Sequence, residues 1–166
     1  MNIVPALLRF ALALLAQLVA AMPLAADDGD ADPTFADGGQ MSFVVAAPAD
    51  VGDRILAITA LADGALLATG FARADATGLD VAVARITADG VLDPGFGDLG
   101  VAVFDFAGHE TMRQLSVEPD GRILLAGDRN SVHALVRLSA QGDLDTTFGS
   151  GGLAEIANPW PAASVG

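Results

Sequence analysis

Cysteine is absent from all 166 residues, which rules out a disulfide framework and a thiolate metal site and leaves the redox compartment open. Lysine is absent too: the eight basic residues are all arginine, against 21 acids, for a formal net charge of −13. A chain this acidic repels phosphate backbones and anionic bilayers, which argues against nucleic acid and membrane surfaces as partners. Histidine occurs only at His109 and His133, so just two side chains offer a neutral general base. Gly-x-Ser-x-Gly elbows, phosphate loops and His-x-x-x-His pairs are missing. Beyond the N-terminus no stretch has a convincing helical period. Hydrophobic content is 52%, but alanine and the N-terminal segment inflate it, so it does not by itself imply a large core.

What the chain does have begins with an address. Arg9 and the amino terminus make a short positive region, residues 10–21 are apolar apart from Gln17, and Pro23-Leu24-Ala25-Ala26 supplies small residues before the acidic run Asp27-Asp28-Gly29-Asp30. This is the pattern of a helical secretory signal peptide over 1–26, with cleavage near Ala26 or alternatively near Ala21. The apolar run is short for a membrane span of about 20 residues. Its removal takes one arginine and no acid, leaving a mature charge of −14. The mature protein is therefore expected outside the cytoplasm, secreted or periplasmic, with no stable membrane span.

The remainder is organised by a motif occurring three times. It reads Ala-Asp-Pro-Thr-Phe-Ala-Asp-Gly-Gly at 31–39, Leu-Asp-Pro-Gly-Phe-Gly-Asp-Leu-Gly at 92–100 and Leu-Asp-Thr-Thr-Phe-Gly-Ser-Gly-Gly at 144–152. Phe35 and Phe96 are 61 positions apart, and Phe96 and Phe148 are 52. Within the units Gly64 and Gly70 match Gly121 and Gly127, while Arg85 and Gly90 match Arg137 and Gly142, at fixed spacings. Length varies only before the Asp-Gly turns and between Gly70 and Arg85, as expected of rigid hairpins joined by tolerant loops. Each unit reads as four short strands: 41–46, 54–61, 65–71 and 80–87, then 101–106, 112–118, 123–128 and 132–139. Asp63-Gly64 and Asp120-Gly121 are hairpin turns, because two-residue turns need positive φ. The expectation is an all-β fold of tandem four-stranded antiparallel blades of β-propeller type, with another stacked β-repeat or an open sandwich as the alternative.

The run from Pro119 to Gly127, then Leu135-Val136-Arg137-Leu138 and Gly142–Gly152, resembles the delta-60 repeat of bacterial extracytoplasmic proteins. That resemblance covers 32–156 and implies propeller-like blades, with no common activity and no catalytic residues to transfer. The expected division is signal peptide 1–26, acidic segment with partial motif 27–40, blade one 41–100, blade two 101–152, first strand of a partial third unit 153–157, and tail 158–166. A closed propeller needs at least about four blades. Two imply either self-assembly, for instance a homo-oligomeric ring in which 153–157 completes a neighbour's blade, or a shortened remnant of a longer array.

Candidate chemistry is sparse. Phe35, Phe96 and Phe148 are expected to plug interfaces between units, since residues equivalent in every unit usually serve the architecture. Arg85 and Arg137 are expected to pair with Asp93 and Asp145. Asp28, Asp30 and Asp32 alternate like a calcium loop but lack its later ligands, so a solvated acidic segment is expected. Ser131 and His133 flank Val132 and make a poor nucleophile–base pair. No catalytic, cofactor-binding or metal residue is expected, and no cofactor. The reading is a non-catalytic module that scaffolds or binds a protein or carbohydrate partner. The alternative is a lectin-like or hydrolytic site between blades, drawing on His109, Glu110 and the insert 72–79.

Overall fold

The computed structural model describes residues 29–45, 52–74 and 78–156. The expected signal peptide and the tail from 158 lie outside the described residues. Eight strands and no helix occur among those described: β1 Arg54–Ala60, β2 Leu66–Ala74, β3 Gly78–Ile86, β4 Val101–Phe104, β5 Glu110–Val117, β6 Ile123–Arg129, β7 Val132–Leu138 and β8 Leu153–Ile156. They form two four-stranded sheets, β1-β2-β3-β4 and β5-β6-β7-β8, antiparallel throughout. The fold is all-β, as the alternation and the Asp-Gly turns predict.

The sheets are cut one strand later than the sequence units. Val101–Phe104, read as the first strand of the second unit, pairs with β3 and closes the first sheet. Leu153–Ile156, read as the start of a third unit and as a strand for a neighbouring copy, pairs with β7 and closes the second. The segment 41–45 occupies the same place after its phenylalanine, yet forms no strand. A fourth strand needs the third strand of its own sheet as hydrogen-bonding partner, and the described residues before it, 29–40, form no strand.

The insert between Gly70 and Arg85 is not a loop of its own, as it was expected to be. β2 and β3 pair from Leu66↔Ile86 out to Ala74↔Gly78, leaving three residues between the last pair. β6 and β7 pair only to Arg129↔Val132, around the two-residue turn Asn130-Ser131. The extra residues lengthen both arms of the first hairpin equally, and only one is spent on the turn. Ladder hydrogen bonds satisfy the added backbone groups, which an open loop would leave to solvent.

Both sheets carry a bulge at the same point, where Leu56 and Arg113 are the unpaired extra residues opposite Gly70 and Gly127. A Cβ on either glycine would run into the carbonyl oxygen of Arg54 or Thr111 across the ladder. The Gly-to-Gly spacing common to both units thus marks a close backbone approach that only glycine permits.

The core lies between the sheets. Leu67, Val81, Val83 and Ala102 share one side of the first sheet and meet Met112, Ile123, Leu125, Ala134, Val136, Leu138 and Leu153 on one side of the second. Phe96 completes the cluster, with Phe104, Phe106, Leu115 and Leu144 packed at its edge. β3 is buried on both faces because Phe43 and Val45 lie over its other side, where with Ala68, Ala82 and Ala84 they line a groove of about 210 Å³.

Replacing Gly127 with alanine is expected to cost roughly 1–3 kcal/mol through overpacking, whereas alanine at Gly95, which meets only the tip of Asp93, should leave stability nearly unchanged. Thermal unfolding followed by circular dichroism checks the difference; equal melting temperatures would refute the close approach.

Candidate functional site

The three motif copies fold alike, residue for residue. The aspartate three places before each phenylalanine turns its Oδ1 onto the N–H two residues ahead: Asp32 onto Thr34 at 2.9 Å, Asp93 onto Gly95 at 2.9 Å and Asp145 onto Thr147 at 3.1 Å. The backbone then passes through positive φ at the first, third and fourth residues after the phenylalanine. The angles are 47°, 61° and 89° after Phe35, 54°, 52° and 101° after Phe96, and 57°, 65° and 99° after Phe148. Ala36 and Leu99 adopt this left-handed geometry without being glycine, a strain of about 1–2 kcal/mol each.

One arginine per sheet anchors the two ends of the loop. Arg85 N–H donates to Gly100 O at 3.0 Å, and its carbonyl accepts from Asp93 N–H at 2.9 Å. Arg137 does the same with Gly152 and Asp145, at 3.1 and 2.9 Å. The side chains make the expected pairings, Arg85 Nε to Asp93 Oδ2 at 3.1 Å and Arg137 Nε to Asp145 Oδ2 at 2.8 Å. Arg85 also reaches Asp63 in the first hairpin turn at 2.5 Å. The hydrogen bonds from the Thr147 hydroxyl and N–H, with the Arg137 guanidinium beside them, hold the Asp145 carboxyl below its ordinary 3.8.

Phe96 belongs to one unit and rests on the next. Phe96 is buried, with its ring over Gly142, where a Cβ would come within 2.8 Å of the ring, and Gly97 N–H donates to Gln141 O at 2.8 Å. The first copy repeats the hydrogen bond on the Asp89-Gly90 turn, with Ala36 N–H donating to Asp89 O at 2.9 Å, and there Ala36 rather than the Phe35 ring lies against Gly90. The third copy has no following turn to rest on among the described residues. Phe148 stays half-buried, and the Arg137 guanidinium stacks 4.5 Å from its ring centre.

The same asymmetry shows on the sheet faces. Leu67, Thr69 and Val83 are no more than 2% exposed beneath the second sheet. Their equivalents Leu124, Ala126 and Leu135 lie on the outer side of that second sheet and are only partly covered. On the far side of the first sheet Ile58 is 59% exposed, while its equivalent Leu115 packs against the core.

The other candidates scatter. His109 is exposed at the entrance to β5. His133 is exposed and its Nδ1 lies 2.9 Å from Asp128 Oδ1 across the hairpin, a bond that holds the Asp128 carboxyl low. Ser131 sits in the Asn130-Ser131 turn at φ 66°, with no hydrogen bond to His133. Asp28 lies outside the described residues, and Asp32 is committed to its turn. Glu110, expected in a loop, is the first residue of β5 and fully buried. Phe106 N–H approaches its Oε2 at 3.5 Å, as Val45 N–H approaches Asp53 Oδ2 at 3.3 Å in the first unit. Both acids stand ten residues before the aspartate of an Asp-Gly turn, Asp63 or Asp120, a spacing that could have exposed them as equivalents.

Residues 61–96 and 118–148 match a family described as Domain of unknown function (DUF5122) beta-propeller. Each stretch runs from the first hairpin of a sheet to the phenylalanine of its motif. The fold is of β-propeller type. The chain matches no curated protein.

Phe96→Ala should cost about 3–5 kcal/mol by opening a cavity between the sheets, and Phe148→Ala at most about 1–2 kcal/mol, the scale of one half-exposed ring contact. Denaturant unfolding of the two variants distinguishes an interface plug from a surface ring. Because the folded-state pKa of Asp145 is lowered, its stabilisation is present above pH 3.8 and disappears as pH falls through the folded value. Asp145→Asn should therefore reduce stability near neutrality and flatten its decline in acid, measured as melting temperature against pH. Parallel acid curves for variant and wild type would contradict this.

Proposed function

We propose that the chain is a non-catalytic scaffolding or binding module of delta-60 type, working outside the cytoplasm, whose partner on its outer face is a second copy of itself. The observation that carries this reading is the open side of the second sheet. Leu124, Ala126, Leu135 and Phe148 hold the positions that bury Leu67, Thr69, Val83 and Phe96 within the chain. The surface matching that side is the far side of a first sheet, with Ile58 and the alanine-lined groove. Sheet would follow sheet head to tail, as the two sheets already do inside one chain, a contact that extends until it closes into a ring. The residues equivalent in both units are committed to architecture, and among the described residues neither histidine is joined to a nucleophile, which supports a non-catalytic role. The secretory pattern of the N-terminus supports the location.

The geometry also sets a limit on affinity. The Phe35 segment already rests on the Asp89-Gly90 turn, where Phe148 of an incoming copy would seat. One of the two has to move, and the mature charge of −14 adds repulsion that salt screens. Association should therefore be reversible and strengthen with salt. Light scattering during size-exclusion of the mature protein tests this, alongside Leu135→Asp. A discrete multimer that the variant reduces to a folded monomer supports the reading. A monomer throughout the micromolar range at high salt overturns it.

A further inference from the structure

We propose that the junction between the two sheets is a calcium site held by Asp80, Asp105 and Glu110. One carboxylate oxygen from each lies within 4.8 Å of the others. They come from three different segments: Asp80 from β3, Asp105 from the crossover after β4, and Glu110 from the start of β5. Asp80 is 6% exposed and Glu110 0%, while Asp105 is exposed and forms the mouth.

The cation already nearby pairs with the buried acid but gives its Oε1 no hydrogen bond. Arg129 Nε is 3.6 Å from Glu110 Oε1, but it donates to Phe106 O at 2.8 Å, and Arg129 Nη1 donates to Glu155 at 2.7 Å. Among the described residues Glu110 Oε1 accepts no hydrogen bond. A buried carboxylate oxygen without a donor is costly, and two neighbouring carboxylates make it costlier. Burial, with Asp105 and Asp80 nearby, raises the Glu110 carboxyl despite the Phe106 N–H and Arg129. A divalent cation at this point would take one oxygen from each of the three acids.

The repeat gives an independent comparison. The equivalent of Glu110 is Asp53, so an acid at this position serves the crossover in both units. Asp80 and Asp105, by contrast, are equivalent to Val132 and Val44. Neither of these acids recurs at its equivalent position in the other unit, so a role shared between units does not explain them. An all-oxygen set from three separate segments suits calcium, which tolerates irregular coordination; magnesium demands near-octahedral geometry, and zinc favours nitrogen and sulfur. Such a cation would fasten the two sheets together at their crossover.

The test uses the mature chain, stripped by chelation, with calcium chloride as the only probe, in titration calorimetry and thermal unfolding. A dissociation constant of about 10⁻⁴–10⁻³ M is expected, the range of extracellular modules, with a rise in melting temperature on saturation. Asp105→Asn and Glu110→Gln should each weaken binding by about tenfold or more, and Asp37→Asn, an exposed acid of the N-terminal segment, should not. Glu110→Gln removes a buried crossover contact and is at risk of not folding, so the exposed Asp105 provides the decisive variant. No heat and no thermal shift up to about 10 mM calcium overturns the site. So does a shift that magnesium reproduces in full and that Asp105→Asn leaves intact, since this would be screening of the net charge.

Discussion

Everything in this fold depends on a phenylalanine that leaves its own unit and rests on the next. Phe96 lies over Gly142 while the neighbouring Gly97 N–H holds the Gln141 carbonyl, so one residue pair supplies both the apolar and the polar part of the contact. The ring needs a glycine beneath it, because any side chain would occupy its place. It also needs the loop that carries it to be rigid, and Arg85 and Asp93 provide that by holding the loop at both ends. Aspartate, arginine, phenylalanine and glycine thus recur at fixed spacings because each is a condition for the others.

That dependence explains how much could be read from the sequence. The Phe motif and the Arg–Asp pairing are local or nearly so, with partners eight residues apart for Arg85–Asp93 and Arg137–Asp145, and they stand in the structure as the spacing implied; the Asp-Gly turns take positive φ at Gly64 and Gly121 alone and are longer than the two-residue turns expected. What the sequence concealed was the membership of strands in sheets. Val101–Phe104 alternates as any strand would, and nothing local says whether its hydrogen bonds go back to β3 or forward to β5. The insert at 72–79 was equally opaque: a longer loop and a longer hairpin are written in much the same residues, and only the ladder from Ala72↔Asp80 to Ala74↔Gly78 separates them.

Burial of the acids was hidden for a related reason. Glu110 follows Gly108 and His109 in a stretch that reads as solvated, yet it opens β5 where both sheets close over it. Asp80 stands among Leu79 and Val81 at the far end of the lengthened hairpin. Neither position has a local signature of burial, because the cover comes from a part of the chain some 30 residues away. Residue types at the fixed points of a repeat are informative, since they recur; residues found in one unit only become legible once the sheets are assembled.

The offset between the sequence repeat and the sheet has an evolutionary meaning. Each sheet takes its last strand from the stretch that follows its own motif, so the repeat as written in the sequence and the body that folds are out of phase by one strand. A duplication bounded at the motif therefore interlocks with its neighbours from the start, because no copy can complete its own sheet. Arrays of this kind grow as links in a chain, each new link open until another strand reaches it.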